Sequence, residues 1–350
     1  MVILAIDISP HQFDRVSNAV AEYGYSSIQQ FVIAASWNQI ALHEADQREL
    51  QPGAAWSLLG KELEETATGS PSAVISDDRD WRRFVGRVEA SALPGVLAVE
   101  PYVGPEALLW GQTNRVLPVA AGVRVLANML ANSDEGSVTL DDWHQQATKV
   151  AQALRVELAS LDKAAGRGRS EQWATAFPSI DPASANRFMG QFLGWPRRDG
   201  RIAEGGAIWL GFVAFEDAQN SRVSLTDAGV GWAGFANPIF DGEAPTAAFS
   251  EKETRFFLEH LREKRPTEFG LLFDVAKLVE GGKSRVEIDA ELVGLYPTWA
   301  KHSGTMRAGA LGRLSDLGLL TRERHGLSVS YHLTPLAASI GLVKNPDGAR

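Results

Sequence analysis

The chain of 350 residues contains no cysteine. That absence excludes disulfides, thiolate zinc sites and a cysteine nucleophile, and it fits a cytoplasmic protein. Long apolar runs are missing too, since no stretch reaches the roughly 20 residues that a membrane helix needs. The opening residues Met1-Val2-Ile3-Leu4-Ala5-Ile6-Asp7 lack a basic start and carry an early acid, which predicts no secretory signal. The seven histidines are scattered without a His-x-x-x-His pair, so neither a metal site nor a cofactor is expected.

Recognisable catalytic spacings are also absent. Glu280-Gly281-Gly282-Lys283-Ser284 contains a Gly-Lys-Ser, but a phosphate loop needs glycine or alanine where Lys277 stands, and a strand before it. Asp77-Asp78 falls in a linker-like stretch, and Asp141-Asp142 falls in a helix's first turn, where acids suit the dipole. Asp241-x-Glu243 lacks the following lysine of a metal-dependent nuclease motif, and no Ser/His/Asp arrangement has a known spacing. The tryptophans read as core anchors. The expectation is a protein that is not an enzyme.

Positive charge is scarce as well. The net charge is −9, which argues against a chain that coats nucleic acid along its length, although local contact depends on where the charge lies. Residues 250–350 hold 15 Lys/Arg against 13 Asp/Glu, whereas the other 249 residues hold 19 against 30. Within residues 297–325 the balance is five to two, so the basic excess concentrates on one short stretch.

What is present begins with a strand-like run, Val2 to Ile8, then Ser9-Pro10, a cap with proline at the first helical position. Phe13, Val16 and Val20 recur at helical spacing up to Tyr23-Gly24. Ser26 is placed to cap a second helix bearing Ile28, Phe31, Val32, Ala35 and Ile40. One strand and two helices are too small to bury a core alone, so a second copy is the economical partner. Order and spacing here resemble the ribbon-helix-helix (Arc/MetJ-type) family over residues 2–46. The resemblance implies a homodimer built on Leu4, Ile6, Ile8, Phe13, Val16 and Phe31, with paired strands in the major groove. Ile3, Ala5 and Asp7 would then point outward, where base readers are usually Arg, Lys, Asn, Gln or Thr. The ribbon therefore reads as a dimerisation hub, while Ser26 and Ser27 could hold a phosphate on free helix amides.

Residues 47–117 read as a linker and partly helical connector, with Gln51-Pro52-Gly53 and Thr66 to Ser72 as turn-rich stretches. From Pro118, Val119, Val123, Leu126 and Leu130 mark a helix, and a longer one runs from a Thr139 cap toward Leu161. Short helices follow near Glu171–Ala176 and Pro182–Leu193, then a strand over Ile208–Phe215, a return strand at Arg222–Leu225, and a helix start at Thr226. A second, similar series has a helix capped by Ser250, one over Glu268–Glu280, one over Val286–Leu295, and one over Trp299–Leu317. A hairpin of Leu319–Arg324 and Ser328–Leu333 closes it. Helices followed by a hairpin, with Leu311-Gly312-Arg313-Leu314-Ser315-Asp316-Leu317-Gly318-Leu319-Leu320 at the junction, resemble winged helix-turn-helix domains.

The expected fold class is mainly α with small β elements: a ribbon-helix-helix module (1–46), two winged-helix domains (118–245 and 246–341) and a tail (342–350). The winged-helix resemblance implies DNA contact through Lys301, His302, Ser303, Thr305, Arg307 and Arg313 on the groove helix. Arg322, Arg324 and His325 would serve on the wing. In the first copy Asn186, Arg187, Gln191, Arg197, Arg198 and Arg201 are the candidates, because phosphates and base edges both need such donors. Together these readings predict a dimeric, sequence-specific binder of double-stranded DNA, a transcription regulator or plasmid-partition protein. The alternative is a non-catalytic adaptor in a DNA-processing or anti-phage defence complex, with an ATPase or nuclease partner.

Overall fold

A computed structural model describes residues 81–93, 108–133, 135–168, 171–196, 203–216, 221–242, 245–325 and 328–342. The expected module at 1–46, with Leu4, Ile6, Ile8, Phe13, Val16, Ser26, Ser27 and Phe31, lies outside them, as do Arg197, Arg198 and Arg201. The described residues all belong to one compact unit, Ser76–Arg350, and it is mainly helical with small β elements.

Its central element is helix α2 (Leu117–Ala131), which follows the short α1 (Arg82–Val85). Pro118 sits in the first turn of α2, where a missing N–H costs nothing. Twelve of its fifteen residues are buried, so it is apolar all round and other elements enclose it. Small residues make that possible. A Cβ on Gly122 would stand 2.3 Å from Leu193, and the Gly122 carbonyl accepts the indole N–H of Trp143 at 2.9 Å. The charged exception is Arg124, which donates to the Val85 carbonyl and pairs with Asp241 at 3.0 Å. Burial pulls its pKa below the usual arginine range, and Asp241 opposes that pull.

Strand β1 (Val138–Thr139) leads into helix α3 (Leu140–Ala164). The Thr139 hydroxyl accepts from Asp142 N, and Trp143, Ala147, Val150, Leu154 and Leu158 form the buried stripe. Helix α4 (Pro182–Phe188) runs into a π-helical turn, Met189–Leu193. Strands β2 (Trp195–Pro196) and β3 (Ala203–Glu204) pair antiparallel. The strand expected over Ile208–Phe215 is only half right: Gly206–Trp209 is a helical turn, α5, and β4 is confined to Val213–Phe215. A short buried apolar run satisfies helix and strand alike, so periodicity alone does not separate them. Strand β5 (Arg222–Leu225) pairs with both β1 and β4, in the order β1-β5-β4, with Val138 opposite Val223 and Val213 opposite Leu225. The Thr226 hydroxyl then caps α6 (Asp227–Ala233).

Helix α7 (Glu251–Lys264) starts with a full capping box between Ser250 and Glu253 and buries Phe257, Leu258 and Leu261. Helices α8 (Pro266–Glu280) and α9 (Arg285–Leu295) follow, the second with its own capping box from Ser284 and Glu287. The helix expected over Trp299–Leu317 divides in two: a 3-10 turn at Pro297–His302, then α10 (Ser303–Asp316). Gly318, at φ +72°, ends it in the left-handed region that glycine tolerates. Hairpin strands β6 (Leu320–His325) and β7 (Ser328–Leu333) pair from Leu320 opposite Leu333 to His325 opposite Ser328, and α11 (Pro335–Ser339) closes the order. One apolar core runs through both halves, from Val119 and Leu126 to Leu272, Leu314 and Leu319. Residues 81–93 and 108–116, expected as connector, also contribute to it through Trp81, Val85, Leu109 and Val116.

Candidate nucleic-acid interface

Helix α10 carries four of the expected contacts, Ser303, Thr305, Arg307 and Arg313, and its surroundings decide which of them face solvent. Residues 109–116 lie along it as a strap. Leu109 N donates to Glu268 at 2.9 Å, and Glu268 forms an ion pair with Arg313 at 2.6 Å. Arg313 donates in turn to the Thr113 carbonyl at 2.7 Å. One turn on, Asp316 accepts from Val116 N and Leu117 N at 2.7 and 2.8 Å and pairs with Arg115 at 3.2 Å. The backbones approach closely because three glycines meet there. A Cβ on Gly111 would lie 2.2 Å from the Thr305 carbonyl oxygen, one on Gly309 2.6 Å from that of Gly111, and one on Gly312 2.5 Å from that of Asn114.

Arg313 therefore does not read DNA. It is 1% exposed and neutralises the fully buried Glu268. A lone buried carboxylate carries a large desolvation cost, and a guanidinium fork is the side chain best shaped to offset it. The other candidates are distributed as follows. Lys301 and His302 are exposed but precede the helix, in the 3-10 turn, and the His302 ring lies edge-on to Trp110 at 5.1 Å. Ser303 and Arg307 are half-buried and Thr305 is exposed. Arg307 donates to Asp289 at 2.8 Å. Arg322, on β6, faces Glu171 at 3.9 Å, and Arg324 and His325 occupy the same strand opposite Val329 and Ser328. Asn186 and Arg187 are exposed on α4, and Gln191 donates to Gln112 at 3.0 Å.

Away from the strap, one side of α10 presents Arg307, Ala308 and Ser315, with Leu311 buried beneath them. That side floors a cleft of about 470 Å³. Arg115, Arg285, Arg322 and Tyr331 stand in its walls together with Asn114 and Thr175. A second cleft of about 250 Å³ is lined by Arg155, Arg187 and Gln191, and it shares Asn114, Thr175 and Ala176 with the first. The two adjoin, so candidates read from distant parts of the chain, Arg187 and Gln191 from one and Arg307 and Arg322 from the other, come together around one connected depression.

The electrostatics are graded rather than uniformly positive. Arg115, Arg307 and Arg322 each have a carboxylate partner, in Asp316, Asp289 and Glu171. Each pair offsets part of the cleft's positive charge. Arg285 and Arg187 form no ion pair with any described residue, so they supply the uncompensated charge. Arg285, Arg115, Asn114, Thr175 and Tyr331 were not legible as site residues. Arg285 follows a serine cap in a stretch that attracts attention only as a failed phosphate loop, and Arg115 falls in an apparent connector.

Among the described residues no group of three or more His, Asp or Glu side chains is placed to hold a metal ion, and no helix is long and apolar enough to cross a membrane. In comparison with known proteins, no family model, curated protein or solved structure matches this chain.

Proposed function

We propose that the protein binds DNA and that its grip is the arginine-walled cleft beside α10. The observation that carries this is the convergence of Arg115, Arg285, Arg307 and Arg322, from four separate segments, on one depression. Planar guanidinium forks match phosphate oxygens, and phosphate contacts supply most of the affinity in nucleic-acid binding. The order of three helices, α8, α9 and α10, then the β6–β7 hairpin supports reading this part as a winged helix. The strap changes how such a unit would work: α10 offers a concave flank rather than a free ridge, so the phosphate backbone is the natural contact and base reading is secondary. In this reading the chain is a homodimer through residues 1–46 and serves as a transcription regulator or plasmid-partition protein in the cytoplasm.

The test is a titration of the full chain against labelled DNA from about 50 to 200 mM salt, where neutralised phosphates must release counterions. Affinity should fall steeply with salt, and affinity independent of salt would overturn the proposal. A second reading, an adaptor that holds an ATPase or nuclease partner, is favoured by one feature. Val286, Val293 and Leu295 stay 78%, 40% and 53% exposed on α9, an apolar surface of the kind partners cover. Co-purification of a stoichiometric partner from the native host, lost with Val286→Asp, would support it.

A further inference from the structure

The cleft is not the only surface at α10 that suits nucleic acid. At the helix's N-terminal end three aromatic rings gather at the surface. Trp110 is 39% exposed, its ring lies 6.0 Å from that of Trp299 and 5.1 Å from His302, and His302 is itself exposed. No described group accepts a hydrogen bond from the indole N–H of Trp110 or Trp299. Burial of Trp110 is incomplete although its neighbours Leu109 and Gly111 are buried, so the strap's tight seating on α10 turns this indole outward.

We infer that the cleft holds an unpaired strand, with a base stacked on the Trp110–Trp299–His302 cluster. The inference rests on the nucleic-acid reading of the cleft and names the form of its ligand. Three observations support it. The cleft, at about 470 Å³, has the size of a small-ligand site, and Asn114, Thr175, Arg285 and Arg322 are among its lining residues. A duplex presents grooves about 12 and 6 Å wide to an inserted ridge, and this surface offers a hollow instead. The flank of α10 at Thr305, Gly309 and Gly312 is covered by the strap at Gly111 and Asn114 and forms no such ridge.

The spacing is also right. On the strap, Trp110 and the cleft-lining Asn114 are four residues apart, a reach of at most about 14 Å. A strand following the strap from Trp110 to Asn114 thus has a base on the aromatic rings and phosphates within reach of the cleft's arginines. Sequence-tolerant single-strand binders combine these two elements, a basic groove and a stacking platform.

The experiment measures fluorescence anisotropy of labelled oligothymidine, of a duplex of the same length, and of oligothymidine competed with free thymidine monophosphate. The full-length chain, Trp110→Ala and Trp110→Phe are compared, each checked by thermal melting. The single strand should bind about tenfold more tightly than the duplex. Trp110→Ala should lose about tenfold in single-strand affinity, and Trp110→Phe should recover most of it because stacking needs a ring. Equal affinity for duplex and single strand, or a folded Trp110→Ala that binds oligothymidine unchanged, would overturn the inference and leave the nucleic-acid reading intact. Full displacement by the mononucleotide at matched nucleotide concentration would make the cleft a nucleotide site and also overturn it. Salt-independent binding, or none, to both DNAs would defeat the nucleic-acid reading itself.

Discussion

Arg307 and Arg313 stand six residues apart on α10, and both look like DNA contacts in the sequence, yet they belong to different regions of the molecule. Arg313 faces the strap and is consumed by Glu268 and the Thr113 carbonyl. Arg307 faces the cleft, held by Asp289 with donors to spare. Six residues turn a helix by about 600°, which leaves the two side chains about 120° apart around its axis. What separates the buried arginine from the cleft arginine is therefore its phase relative to the strap, and neither composition nor local charge balance carries that information. Polar groups in the seam are buried and paired, so losing one should cost stability. Those in the cleft are only fixed in place, so losing one should cost affinity.

The sharpest way to break this comparison is Arg313→Ala. It leaves Glu268, 0% exposed, without its counter-charge, and removing one member of a buried pair typically costs about 3–5 kcal/mol. Urea unfolding should show the unfolding free energy falling by that amount, as a lower midpoint at constant slope. Glu268→Gln combined with Arg313→Met should lose less than Arg313→Ala alone, since glutamine still accepts from Leu109 N. A loss below about 1 kcal/mol for Arg313→Ala would show that the seam does not pin the strap.

His144 extends the buried side of the comparison to the other half of the unit. Its Nε2 hydrogen-bonds the Gly194 carbonyl at 3.1 Å, its Nδ1 has no partner, and Trp195 lies edge-on at 4.4 Å. Burial drives its pKa down to about 4, against an ordinary 6.5. A folded pKa below the unfolded one means that the unfolded chain takes up the proton first. The contribution is complete above pH 6.5 and is lost as pH falls from 6.5 toward 4. At about 1.36 kcal/mol per pH unit the loss approaches about 3 kcal/mol. Unfolding free energies measured across this window should fall in the native chain and flatten in His144→Phe. An identical pH dependence in the two proteins would count against the assignment.

Much of this architecture is legible from local chemistry. The Thr139 cap, the Ser250 cap and the β6–β7 hairpin each depend on neighbours within a few residues, and each lies where the sequence puts it. Ile208–Phe215 is misread because a run buried on every side has no periodicity to betray its form. The interface is legible only in part. Arg187, Gln191, Arg307 and Arg322 do line the connected clefts. Arg115 and Arg285 escape notice because their role arises from chain segments 170 residues apart meeting at α10, and Arg313 misleads for the same reason.

Close approach of the strap offers a smaller and more local test. Gly111→Ala would drive a methyl group to 2.2 Å from the Thr305 carbonyl oxygen, and backbone on both sides leaves little room to yield. Overpacking of this kind typically costs about 1–3 kcal/mol. Ala at Gly282, where nothing lies within 4 Å but φ is +71°, serves as the contrast: its cost comes from backbone strain alone. The melting temperature should drop further for Gly111→Ala than for Gly282→Ala, and a reversed order would mean that the strap is free to lift.

The smallest effect on stability should come from Arg285→Ala, and that is what makes it informative. Arg285 is exposed, caps nothing and has no partner among the described residues, so its removal should change unfolding free energy by no more than about 0.5 kcal/mol. Its effect on binding should be specific. If it contacts one phosphate, the slope of log affinity against log salt should become shallower by about 0.7 on a single strand, or about 0.9 on a duplex. Arg307→Ala should do the same at somewhat greater cost to stability, because Asp289 loses its partner. An unchanged slope for both variants would remove the cleft from the binding surface and erase the difference between Arg307 and Arg313 that α10 draws.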